Sequence, residues 1–92
     1  MTAMVTVEAE PAGAGWACRV EVEADGRHSR HVVAVQPVDL ERWGRAGEGP
    51  AQLVTRAFEF LLAREPASQI LQRFDVAVIQ RYFPEFDREI RR

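Results

Sequence analysis

Two histidines, one cysteine and a few hydroxyls are the residues of this chain that could hold a metal or attack a substrate. His28 and His31 lie three apart. On a helix that spacing puts both rings on one face; on a strand it sends them to opposite faces. The residues around them alternate as a strand does, so a shared metal is not expected, and His31 should turn inward beside Val20. The lone Cys18 excludes an internal disulfide framework and any cysteine-based zinc site. Its position in an alternating apolar run predicts a buried and therefore inert thiol. Ser29, Ser68, Thr2, Thr6 and Thr55 are the hydroxyl candidates, and none stands in a G-x-S-x-G elbow. No catalytic, metal or cofactor set emerges, and no cofactor is expected.

Binding chemistry has four candidates. Glu8, Glu10, Glu21 and Glu23 form an acidic stripe that could take a divalent cation or a basic partner. With Arg19 and Arg30 as neighbours it reads better as a solvated sheet face. Gly44 to Pro50 precedes a helix, where phosphates can bind, but it has neither glycine spacing of the nucleotide-binding loops. A connector is the simpler account. Ser68 to Phe83 can be drawn as helix, turn, helix, with Arg73, Gln80 and Arg81 as candidate nucleic-acid contacts. Its turn, Phe74-Asp75, lacks the usual glycine, and residues 51–92 carry seven arginines against six acids, which is no electrostatic footprint for nucleic acid. Lastly, Phe74, Tyr82, Phe83 and Phe86 gather near the C-terminus. A small core need not bury all four, and rings left outside would form an interaction patch.

The elements that must position these residues follow from pattern. Ninety-two residues make one domain, 1–92, large enough to dispense with disulfide or metal staples. An apolar fraction of 47% with 28% charge excludes a disordered chain, and a net charge of −2 gives no general pull toward nucleic acid or anionic membrane. All basic residues are arginine, which reads as compositional bias. The N-terminus has no basic and apolar signal-peptide pattern, and no apolar run approaches the roughly 20 residues of a membrane span. A cytoplasmic protein is expected.

Asp25-Gly26 between two alternating segments is a hairpin signal of the type I′ kind. It sets Glu21 opposite Arg30, Glu23 opposite His28, Val20 opposite His31, Cys18 opposite Val33 and Trp16 opposite Val35. Strands are expected at about 3–10, 16–24 and 27–36, joined as a three-stranded antiparallel meander with one apolar face. After a short turn near Val38 to Trp43, Pro50 opens a long helix at about 50–64 that carries Leu53, Val54, Ala57, Phe58, Leu61 and Leu62 on one stripe. Gln52, Arg56, Glu59 and Ala63 should face away. Pro66 and Pro84 punctuate shorter helices at about 67–74, 75–83 and 84–91, with Asp75 as an N-cap. Strands followed by helices give an α+β fold, with the long helix packed on the sheet.

The run from Ala57 onward, with Phe60-Leu61-Leu62 and Arg64-Glu65-Pro66, Ile70-Leu71 and Arg73-Phe74-Asp75, then Arg81-Tyr82-Phe83-Pro84, resembles a family of small bacterial proteins with no assigned function. The resemblance implies a shared compact fold and brings no catalytic residues. The expected role is therefore a non-enzymatic protein acting through contacts with itself or a protein partner. A nucleic-acid-linked regulator of the antitoxin kind is the alternative, and an enzyme without an identifiable site the third.

Overall fold

The hairpin turn organises the sheet. In the computed structural model of the protein, which describes residues 3–92, Asp25 and Gly26 have φ of 54° and 74°. These are the left-handed values that a type I′ turn needs at both positions. β1 (Met4–Ala12), β2 (Gly15–Ala24) and β3 (Arg27–Val35) form the expected antiparallel meander. The β2–β3 register is the expected one, from Ala24 opposite Arg27 to Trp16 opposite Val35. β1 runs further than expected: Pro11 pairs with Trp16 and only Gly13-Ala14 remains as the loop. Proline is tolerated because β1 is an edge strand. Thr2 lies outside the described residues.

α1 (Pro37–Trp43) begins on a proline, and Asp39 accepts the Gln36 N–H at 2.9 Å. α2 (Pro50–Leu62) lies over the apolar face of β1 and β2 and buries Leu53, Val54, Ala57, Phe58, Phe60 and Leu61. They meet Cys18, Val20, Val22, Val33 and Val35 from the sheet. Full burial of a large aliphatic or phenyl side chain is worth about 1.5–3 kcal/mol, so this one layer supplies most of the cohesion. α2 stops at Leu62 rather than near 64, since Pro66 disfavours helical geometry in the residue before it.

Beyond Pro66 the structure departs from expectation. The expected helix 67–74 is a single 3-10 turn, Ala67–Gln69, followed by extended chain. Arg73–Asp75 is a fourth strand, β4, parallel to β3, with Val32 paired to Arg73, Val33 to Phe74 and Ala34 to Asp75. A short helix gains little from its own hydrogen bonds, whereas the open edge of β3 offers partners at once. Asp75 is therefore a strand residue and not a helix cap. The expected helix 75–83 shrinks to α3 (Val78–Tyr82), and 84–91 to α4 (Phe86–Glu89). The helix-turn-helix drawn through Ser68–Phe83 does not form. No helix among the described residues is long and apolar enough to cross a membrane.

Candidate functional site

After Pro66 the chain turns past the end of α2 and enters β4, and α3 returns beside it. Between them lies a groove of about 350 Å³. Buried Leu61, Ile70 and Ile79 form its floor, and Leu71, Phe74, Val78, Tyr82 and Phe83 line it together with the polar Glu65 and Gln69. Leu71 is 52% exposed and Tyr82 is 69% exposed. Met4 and Val38 are the other large apolar side chains left exposed among the described residues. Two of these four thus border one groove.

Three of the four expected patch residues meet here. Phe74 points to the α2 side of the sheet, its ring 6.2 Å from Phe58. Phe83 is half-buried, edge-on to Phe60 at 5.9 Å, and Tyr82 stands outside. Phe86 does not belong with them. It is fully buried between Trp43 and Phe60, at 5.3 and 5.1 Å, and supports the groove wall from within. Leu71 and Val78 complete the lining. Neither stands out from sequence, because the strand that brings them together was not legible there.

Charged clasps hold the wall against the body. The Trp43 indole N–H donates to Asp87 at 2.9 Å, and Arg42 and Arg91 flank the same carboxylate. Arg64 reaches both Glu85 and Glu89, at 3.1 and 3.0 Å, while its guanidinium lies over the Phe60 ring. Arg56 faces inward rather than away: it forks onto Glu48 and donates to the Trp43 and Ile90 carbonyls. Cover of α2's polar side by Trp43 and Glu48 from before the helix and by Ile90 from the C-terminal segment explains the difference.

These contacts hold three carboxyls below their ordinary range. Glu48 is lowered chiefly by its hydrogen bond from Arg56, against the opposing effect of burial. Glu85 is lowered by its own backbone N–H and then by Arg64, and Asp87 by the Trp43 indole before its arginines. A carboxyl depressed in the folded state binds its proton more readily in the unfolded chain. Its stabilising contribution is complete above the ordinary carboxyl values, 4.5 for glutamate and 3.8 for aspartate, and is lost as pH falls through the lower folded values. Denaturant titrations at stepped pH should therefore show stability level above those values and declining below them. A Glu48→Gln variant should show a shallower decline.

The other candidates are accounted for by local structure. His31 is buried; its Nδ1–H donates to the Leu71 carbonyl at 2.8 Å and Nε2 lies 2.9 Å from the Ser29 hydroxyl. It ties the groove's Leu71 to the sheet. Burial pushes the Cys18 thiol up to about 11, so it stays protonated and unreactive. In the acidic stripe, Arg19 bonds Glu8 and Glu10, and His28 bonds Glu21. No cluster of three metal-ligating side chains occurs among the described residues. In the Gly44–Gly49 loop, Glu48 takes the Arg45 N–H and Gln52 the Gly49 N–H, so donors a phosphate would use are already engaged. Arg73 lies on the outer face of β4, whereas half-buried Gln80 and exposed Arg81 lie on the five-residue α3. They are not presented by one recognition helix.

Comparison with known proteins finds no matching family model, no matching curated protein and no matching solved structure.

Proposed function

We propose that this chain is a small non-enzymatic interaction protein of the cytoplasm whose working surface is the groove between β4 and α3. The observation that carries the reading is the coincidence of a preformed apolar groove with exposed Leu71 and Tyr82 at its border. Apolar side chains left in water beside a concave surface are what a protein partner covers. An exposed tyrosine is a favoured anchor, since it brings a large ring and one hydroxyl at low entropic cost.

Site-specific photocrosslinking tests the reading. With p-benzoylphenylalanine in place of Tyr82, irradiation of expressing cells should produce discrete protein adducts. The same group in place of Glu23, on the outer face of the sheet, should produce none. Equal yields from both positions, or no adduct from position 82, would reject the groove as the working surface.

A further inference from the structure

The sheet has two edges, and they differ in what a second strand would meet. β1 carries Glu8 and Glu10 and has Pro11 next to its last residue, features that blunt an edge. A second β1 laid against it would bring glutamates near one another. β4 is the other edge. Val32 N–H bonds the Gln72 carbonyl and Val76 N–H bonds the Ala34 carbonyl. In a parallel ladder this pattern turns the backbone groups of Phe74 toward β3 and those of Arg73 and Asp75 away from it. Those outward groups have no backbone partner among the described residues. Neither the Arg73 nor the Asp75 side chain has an ion-pair partner among the described residues.

Arg73-Phe74-Asp75 is its own complement. We infer that two copies of this chain pair antiparallel through β4 about a two-fold axis at Phe74, making one continuous eight-stranded sheet. Arg73 then stands opposite Asp75 of the other copy, and Asp75 opposite its Arg73. The groups that point outward belong to just these two residues, so each Arg–Asp pair exchanges two main-chain bonds. The opposite charges face each other on the same side of the sheet. Phe74, whose own backbone groups are taken by β3, falls at the non-bonded centre, where side chains approach most closely. Both Phe74 rings are on the groove side, so the axis sets the two grooves next to each other. An isologous contact needs one patch that fits itself, and this strand meets that requirement in shape, hydrogen bonding and charge. The inference rests on the face formed by β4 and α3 being the docking surface and names a second copy, seated on the β4 edge beside the groove, as its partner.

Charge reversal gives the test, read by sedimentation equilibrium on purified protein. Arg73→Asp places aspartates opposite aspartates, and Asp75→Arg places arginines opposite arginines. Each should weaken self-association by about tenfold or more. Both positions are exposed, so circular dichroism should stay that of the wild type. An equimolar mixture of the two variants should recover dimer, as should the Arg73→Asp/Asp75→Arg double variant. Wild-type protein that remains monomeric, or single variants that dimerise as well as wild type, would overturn the pairing. In either case, adducts from position 82 that contain a different protein would leave the groove standing as a docking surface.

Discussion

Arg56→Met is expected to cost about 3 kcal/mol, at the lower end of what removing one partner of a buried ion pair costs. Arg56 and Glu48 keep only 15% and 11% of their side-chain surface in solvent. The guanidinium forks onto Glu48 at 2.6 and 2.8 Å and also serves the Trp43 and Ile90 carbonyls. Methionine preserves the stem and removes every one of these donors. Glu48 would keep only the Arg45 N–H, and two carbonyls would lose a donor. For a domain of this size the loss lowers the melting temperature by roughly 12–24 °C. Arg56→Lys should fall between, because an ammonium keeps the charge and lacks the fork. Arg56→Met with Glu48→Met should recover most of the loss, since the stranded carboxylate is removed as well. Thermal melts of the three variants decide it. A loss below about 1 kcal/mol for Arg56→Met would mean that the pair is solvated and holds nothing.

The hairpin and the Arg56 clasp mark the range of what sequence reveals. Asp25-Gly26 is a local signal: two residues set the turn, the turn sets the register, and the register sets which side chains face α2. The α2 stripe is equally local, being a matter of spacing along one helix. Arg56 sits off that stripe, so it reads as solvent-facing; Glu48 and Trp43 ahead of α2 and Ile90 of the remote C-terminal segment close over it. β4 is harder still. Three residues are too few to show alternation, and Phe74 with Ile70 and Leu71 fits a helical spacing as well as a strand. What makes Arg73–Asp75 a strand is the vacant edge of β3, about forty residues earlier in the chain. That edge was the one available clue, since an open edge strand calls for cover. The groove inherits the same obscurity. Its rings were legible as a set, but the line between Phe86 in the core and Tyr82 in solvent depends on packing that no local pattern carries.

Phe58→Ala is expected to have the largest effect, a loss of about 3–5 kcal/mol. Phe58 is fully buried on α2, with His31 at 5.2 Å on one side and Phe74 at 6.2 Å on the other. Truncation removes the ring's burial and leaves a void that the sheet cannot close without shifting β3. A domain of this length holds only about 5–14 kcal/mol in total, so the variant should sit close to its unfolding threshold at ordinary temperature. The damage should also be uneven. β4 pairs with β3 over three positions only, and Phe74 resting on Phe58 is a main inward contact of that strand. Without it, β4 should open more readily than the β1–β3 meander. Amide exchange reads this directly. Protection of the Val32 and Val76 N–H groups, which bond across the β3–β4 seam, should fall further than that of amides between β1 and β2. Phe58→Leu keeps most of the volume and should cost about 1 kcal/mol, with the seam still protected. Uniform loss of protection across the whole sheet in Phe58→Ala would show instead that β4 and the meander open as one unit, and that the groove is as rigid as the core it rests on.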